Sequence, residues 1–162
     1  MSGGERELLN HDFLSRKRAE LEEHHAELSG LSEPEVSVQP SADRWSIKQV
    51  LGHLIDSAAN NHQRFIRLEG SDIRFPYYDQ NLWVAANHYQ SSEFGFLLQL
   101  WYNYNLQILH LLRFVPASSL EHKWLREDGS EVTMAFVIED YFQHLAHHLD
   151  KIRERRTARH GV

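Results

Sequence analysis

Four segments of this chain repeat their apolar residues at the spacing of an α-helix, and this pattern limits the folds that it can adopt. They cover about residues 5–30, 46–68, 91–114 and 133–159. Apolar side chains three or four positions apart share one side of a helix and can be buried together. The chain of 162 residues is long enough to bury a core of its own. We therefore predict an all-α protein, a four-helix bundle that forms a single domain over residues 1–162.

The start of the second predicted helix carries the clearest local signal. Ser46 can accept a hydrogen bond at the N-cap, and Gln49 three residues later completes a capping box. Residues 31–44 before it contain two prolines and several serines, and are predicted to be a connection.

A long aromatic connection, residues 69–90, joins the second and third predicted helices. Connections longer than about 12–15 residues generally carry a function or short structure of their own. This one could form a short helix over residues 80–88. Its aromatic side chains either cap one end of the core or line a substrate pocket, and they are Phe75, Tyr77, Tyr78, Trp83 and Tyr89.

The third predicted helix is apolar around most of its circumference, so we expect it to be largely buried. Part of that surface could face a second copy of the chain, which suggests a homodimer. Between this helix and the fourth, the turn sequence Asp128-Gly129 predicts a short hairpin formed by residues 121–126 and 131–133.

Two histidines of the fourth predicted helix, His144 and His148, stand four residues apart and therefore share one face. They border the apolar stripe, whereas His147 is rotated by roughly 80° and points elsewhere. This spacing fits two ligands of one metal ion, or hydrogen-bonded imidazoles at the edge of the core. Two ligands do not complete a site, so a third must come from another part of the chain.

The second predicted helix offers two further candidates. His53 lies on a flank of its apolar stripe, in line with Ser57, Asn60 and Arg64, so periodicity makes it a boundary residue. Asp56 falls on the side opposite the stripe and is expected to be solvated.

Composition excludes several classes of protein and of site. The chain has no cysteine, so any metal must be held by nitrogen and oxygen ligands. A formal charge of −6 argues against a general nucleic-acid binder. No apolar run approaches the roughly 20 residues that span a bilayer. The polar N-terminus lacks a signal-peptide core, so the expected location is the cytoplasm.

Three short motifs occur in an order that resembles the DinB-like superfamily. The first runs from Trp45 through Ser46 and Gln49 to His53, in the pattern W-[ST]-x-x-E-x-hydrophobic-x-H. The second is the segment 78–83, Tyr-Asp-Gln-Asn-Leu-Trp, and the third is the His144-x-x-x-His148 pair. The resemblance covers roughly residues 5–159.

This resemblance implies a bundle with up-down-down-up helix directions and a divalent metal, often zinc or nickel, held by three histidines. Carried over to this chain, the ligands are His53, His144 and His148. The chain departs from the pattern at Gln49, where many relatives have glutamate. That difference removes one carboxylate that could support a metal ligand.

Three neutral imidazoles would leave a divalent ion with its full charge and an open coordination position, as in catalytic sites. Such an ion acidifies a bound water or converts a bound thiol to thiolate. Families related by the resemblance look like thiol transferases and thiol-dependent isomerases. We therefore expect a metal-dependent transferase that joins a low-molecular-weight thiol to an electrophilic small molecule.

Two alternatives remain open. One is a metal-activated hydrolase, although not a zinc protease of the H-E-x-x-H type, because Leu145 follows His144. The other is a stress-associated or partner-binding bundle without catalytic activity, whose metal is structural or vestigial. Candidate assisting residues in the site are Asn60, Asn61, Tyr78, Asp79, Asp140 and His147.

Overall fold

The computed structural model describes residues 9–160 and contains six α-helices and three short strands within them. The helices are α1 (His11–Ser29), α2 (Glu33–Ser37), α3 (Ile47–Gly70), α4 (Gln80–Ala86), α5 (Phe94–Leu112) and α6 (Met134–His160). The strands are β1 (Ile73–Arg74), β2 (Lys123–Leu125) and β3 (Glu131–Thr133). The four long helices match the four predicted ones. The predicted start of the first, residues 5–8 with Leu8, lies outside the described residues.

Helices α1, α3, α5 and α6 form the bundle, and the contacts between α1 and α6 show that these two run in the same direction. Near the start of both helices the rings of Phe13 and Phe142 meet edge to face, 5.6 Å apart. Near their ends, Nε of Arg153 donates to Glu27 at 2.7 Å. The first and last helices of the chain are therefore parallel neighbours.

Helix α3 runs antiparallel to α6. Phe65, late in α3, packs against Tyr141, early in α6, with ring centroids 5.9 Å apart. At the opposite end, Nη1 of Arg155 donates to the carbonyl of Trp45, just before α3, at 2.9 Å.

Helix α5 runs parallel to α3, which makes the order of directions up-down-down-up. The 3-10 helix Tyr89–Ser91, which leads into α5, packs against Gly52 in the first half of α3. Farther along both helices the rings of His62 and Tyr104 meet at 5.6 Å. The predicted helix directions are thus confirmed.

Residues 71–93 allow α3 and α5 to run parallel, because they carry the chain back along the bundle from the C-terminal end of α3 to the level of its N-terminal end. They contain β1, α4 and the 3-10 helix, and the predicted short helix over 80–88 is confirmed in α4. Glu33 of α2 fastens the return, since its carboxylate accepts from the ammonium of Lys48 and from the backbone N–H of Phe94. The predicted connection over residues 31–44 contains the short helix α2, which was not predicted.

The strands form a small sheet in the order β1-β2-β3 over one end of the bundle. The predicted hairpin is confirmed: β2 and β3 are antiparallel, and Gly129 supplies the positive φ of 83° in its turn. Strand β1 was not predicted and pairs in parallel with β2. Nε1 of Trp124 donates to the carbonyl of Phe75 at 2.8 Å and holds the hairpin on the long connection.

Helix α3 lies at the centre of the molecule, and this position corrects two predictions. Both His53 and Asp56 are only 2% exposed. A helical wheel with one apolar stripe predicted a boundary histidine and a solvated carboxylate. In the structure α5, α6 and the long connection cover α3 on several sides, so positions away from the stripe are buried as well.

Helix α5 is less completely buried than its composition suggested. Phe96 is 63% exposed, and Leu100 is also exposed, whereas eight residues of α5 are buried. The homodimer stays a prediction. No helix within residues 9–160 combines the length and the apolarity that crossing a lipid bilayer would require.

Candidate metal centre

Three histidine side chains from α3 and α6 converge on one point. Nε2 of His144 lies 3.0 Å from Nε2 of His53 and 3.1 Å from Nε2 of His148. The three nitrogens all lie within 4.8 Å of one another. Among the described residues, no other group of three or more histidine, aspartate or glutamate side chains brings its ligand atoms this close together.

The donor set fits a divalent ion. Two nitrogens that each lie about 2.1 Å from one ion are separated by roughly 3.0 Å at a right angle and roughly 3.4 Å at the tetrahedral angle. The distances from His144 to its two neighbours fall at the short end of that range. The antiparallel crossing of α3 and α6 therefore brings His53, His144 and His148 close enough to share an ion.

The electrostatics of the cluster favour neutral imidazoles, which is the form that binds metal. Burial lowers the pKa of His53 to about 4, with a smaller contribution from His144. Burial, together with the neighbouring histidines, lowers the pKa of His148 to about 3. Burial also lowers the pKa of His144, although Asp140 opposes this shift. At neutral pH all three rings are free of the proton that would compete with an ion.

The ring of His53 is positioned by packing. Metal-bound histidines usually donate their second N–H to a carbonyl or carboxylate. Here Nδ1 of His53 is buried without a hydrogen-bond partner among the described residues. The indole of Trp45, which precedes the N-cap of α3, lies against the ring at a centroid distance of 5.1 Å. The capping box of Ser46 and Gln49 is confirmed and fixes this first turn of α3.

A cavity of about 190 Å³ opens beside the cluster. Its lining combines hydroxyl, amide and charged groups with apolar side chains, and one carboxylate, that of Asp140, is among them. The lining residues are His53, Ser57, Asn61, Arg64, Tyr78, Gln80, Trp124, Arg126, Val137, Asp140, Tyr141 and His144. Helices α3 and α6 supply two sides, while the long connection and the hairpin supply the others.

The structure separates the candidate assisting residues into two groups. Asn61, Tyr78 and Asp140 line the cavity, so one aromatic of the long connection does face a pocket. The others do not line the cavity. Asn60 donates to the carbonyl of Asp56 within α3, Asp79 caps α4, and His147 is exposed.

Some lining residues were not predicted from the sequence. Ser57 and Arg64 had a signal, because they follow His53 at helical spacing on the same flank of α3. Trp124 and Arg126 had none, since their place depends on where the hairpin docks against the bundle.

Asp56 belongs to a buried cluster that fastens the long connection to α3 one turn beyond His53. Its Oδ1 accepts hydrogen bonds from the hydroxyl of Tyr89 at 2.6 Å and from Nδ2 of Asn87 at 3.0 Å. Oδ2 has no partner among the described residues. Burial raises the pKa of this carboxyl to about 6, and the Tyr89 hydrogen bond partly offsets the shift. Gly52 lets the Tyr89 ring approach, because a Cβ there would lie 2.1 Å from Cδ2 of Tyr89.

Comparison with known proteins points to metal-dependent relatives. The chain is 25% identical over 131 residues to a proposed metal-dependent hydrolase of Halalkalibacterium halodurans. The aligned region covers 80% of this chain and 76% of that protein. YfiT from Bacillus subtilis, described as a proposed metal-dependent hydrolase with an unusual four-helix bundle topology, has a similar structure. The TM-score is 0.77 at 21% identity, over 92% of this chain and 90% of YfiT.

The mycothiol-dependent maleylpyruvate isomerase shares the fold as well, with a TM-score of 0.68 at 14% identity. The match covers 84% of this chain and 57% of the isomerase, so this chain spans a little over half of that enzyme. The sequence pattern of the DinB superfamily matches residues 14–152, which includes all three clustered histidines. This chain therefore belongs to the DinB superfamily.

Proposed function

We propose that this protein is a metal-dependent enzyme whose divalent ion is held by His53, His144 and His148. The observation that supports this most directly is the separation of 3.0–3.1 Å between the Nε2 atom of His144 and those of its two neighbours. With neutral imidazoles as the protein ligands, the ion keeps its full positive charge. Imidazole nitrogens suit zinc and nickel, and these are the ions that we expect.

We propose that the reaction joins a low-molecular-weight thiol to an electrophilic small molecule. A divalent ion held by the three histidines would lower the pKa of a thiol that binds it. The thiol must arrive as a cosubstrate, because the chain has no cysteine. The similarity in fold to a mycothiol-dependent isomerase supports this choice.

The cavity residues would position and shield the electrophile in this reaction. Asn61 and Tyr78 offer an amide and a hydroxyl to a bound molecule. Trp124 is buried and contributes an apolar surface to the lining. A cavity of about 190 Å³ suits a compact electrophile.

A metal-activated hydrolase is the second candidate, and one residue favours it. Asp140 lines the cavity one helical turn before His144, and its exposed carboxylate could accept a proton from an attacking water. The two relatives described as proposed metal-dependent hydrolases support the same reading.

The first experiment measures metal content. Protein purified without chelator or affinity nickel should contain about one equivalent of a divalent ion by elemental analysis. His148→Ala should lose it, whereas His147→Ala, which alters the exposed neighbour on the same helix, should keep it. Equal metal content in wild type and His148→Ala would contradict the assignment of the ligands.

The second experiment separates the reactions. Metal-loaded protein is incubated with a model electrophile and glutathione, mycothiol or bacillithiol, and separately with an activated ester without thiol. Thiol-dependent turnover that His148→Ala lacks and His147→Ala retains supports the transferase. Ester cleavage without thiol supports the hydrolase. No turnover in either assay, with a melting temperature that falls on chelation, indicates a bundle with a structural metal.

A further inference from the structure

Arg64 is a buried cation without an anionic partner. It lies on α3 and is only 6% exposed. Its Nη1 donates to Oδ1 of Asn61 at 3.1 Å, and its guanidinium stacks over Trp124 at 4.2 Å. Its Nε has no partner among the described residues, and no carboxylate within that part of the chain forms a salt bridge with it. Buried charges are normally paired, so this arrangement needs an explanation.

Arg126 adds a second cation to the same cavity. It follows β2 in the hairpin, and its guanidinium lies 5.0 Å from the centre of the Trp124 ring. Its Nε is also buried without a partner among the described residues. Two guanidinium groups therefore lie near one indole ring, although like charges repel each other. Burial lowers the pKa of Arg64 and Arg126 adds to that shift, whereas Asp140, which forms no salt bridge with Arg64, opposes it.

The charges around the cavity do not balance. Arg64 and Arg126 both line it, and Asp140 is the one carboxylate among the lining residues. A divalent ion at the three histidines would make the excess of positive charge larger. Guanidinium groups bind carboxylate and phosphate oxygens through paired N–H donors, and their affinity rises where water is excluded. An anion from outside the chain would supply the missing partner.

We propose that the cavity binds a small organic oxyanion, a carboxylate or phosphate group, between Arg64 and Arg126. The volume of about 190 Å³ accommodates a compact acid. His53 and His144 line the same cavity, so the remainder of that molecule lies close to the three-histidine cluster. The inference deepens the proposed function, on which it rests, by making the electrophile an acid.

Binding of simple probes to metal-free protein tests the proposal without any enzymatic turnover. Chelator-treated protein is titrated with succinate, with inorganic phosphate and with uncharged succinamide, and calorimetry and tryptophan fluorescence are followed. We expect succinate or phosphate, but not succinamide, to bind and to change the tryptophan emission of the protein. The stronger of the two anions identifies the group. No binding of either anion to the metal-free protein would overturn the proposal.

Three variants locate the site. Arg64→Met and Arg126→Met should each weaken anion binding at least tenfold. Arg67→Met is the matched control, because Arg67 lies on α3 one turn from Arg64, is exposed and bonds to Gln63. It should leave the affinity unchanged. Equal weakening in all three variants would indicate a general effect of surface charge and would contradict the assigned site.

Thermal stability distinguishes a binding role from a structural one. A buried cation kept for a ligand is not optimised for stability, so Arg64→Met should retain or raise the melting temperature. If Arg64 instead serves only to support Trp124, this variant should melt lower and wild type should bind no anion.

Metal analysis distinguishes failure of this proposal from failure of the proposed function. Anion binding by a protein that retains no metal refutes the metal enzyme, and metal-dependent turnover without anion binding refutes the acid site.

Discussion

Replacing Gly52 with alanine should destabilise the protein, although the same change in most helices is stabilising. Gly52 lies inside α3, where alanine normally gains about 1 kcal/mol over glycine. A Cβ at this position would lie 2.1–2.7 Å from three carbons of the Tyr89 ring. Ordinary contacts between carbon atoms are about 3.5–4.0 Å, so the ring must move by more than 1 Å.

That movement has two costs. Inserting a methyl group into a packed site costs about 1–3 kcal/mol. The Tyr89 hydroxyl would also lose its 2.6 Å hydrogen bond to Asp56, and leaving a buried group unsatisfied costs about 1–3 kcal/mol. After subtracting the gain in helix propensity, the net loss is about 3 kcal/mol. For a chain of this size that corresponds to a fall of about 6–12 °C in melting temperature.

Thermal and urea denaturation followed by circular dichroism measure this loss. Gly95→Ala is the matched control, because Gly95 lies in α5 and a Cβ there meets nothing within 4 Å. That control should be neutral or slightly stabilising. In a Tyr89→Ala background, adding Gly52→Ala should no longer destabilise. A single Gly52→Ala variant as stable as wild type would refute the reasoning.

Three further predictions concern buried polar groups and the ion. Because the pKa of Asp56 is raised from 3.8 to about 6 on folding, its contribution to stability is complete below about pH 3.8 and is lost as the pH rises through 6. In urea denaturation, the free energy of unfolding of wild type should therefore fall by up to about 3 kcal/mol relative to that of Asp56→Asn between pH 4 and 7. A difference between the two proteins that does not change with pH would contradict the raised pKa. Tyr141→Phe removes a buried 2.6 Å hydrogen bond to Asn105 and should cost about 1–2 kcal/mol in the same assay, whereas an unchanged midpoint would contradict that contribution. Zinc or nickel at 100 times its dissociation constant should stabilise wild type by about 2.7 kcal/mol. His147→Ala should show the same stabilisation and His148→Ala should show none; stabilisation of His148→Ala would contradict the assigned ligands.

Local patterns in the sequence were enough to predict the four long helices and the hairpin. The capping box at Ser46 and the glycine turn at Gly129 each depend on residues a few positions apart, and the structure contains both. Strand β1 could not be predicted in this way. It is two residues long and exists because β2, about 50 residues later, lies beside it.

The candidate site depended more on resemblance than on pattern. Spacing within one helix placed His144 beside His148, but His53 is 91 positions from His144 and only the family motif connected them. Asp56 shows the limit of helical periodicity. Its burial comes from Tyr89 and Asn87, which reach it from a connection whose path the sequence pattern does not specify.

The cavity takes its two histidines and six other lining residues from α3 and α6, whereas the remaining four belong to the segments that connect the long helices. Tyr78 and Gln80 come from the segment that returns the chain along the bundle, and Trp124 and Arg126 come from the hairpin. Surface segments tolerate exchange and changes of length more readily than packed helices. During evolution, mutations in these two segments alone could therefore change which molecules the cavity binds, while α3, α6 and the interior of the bundle stay as they are.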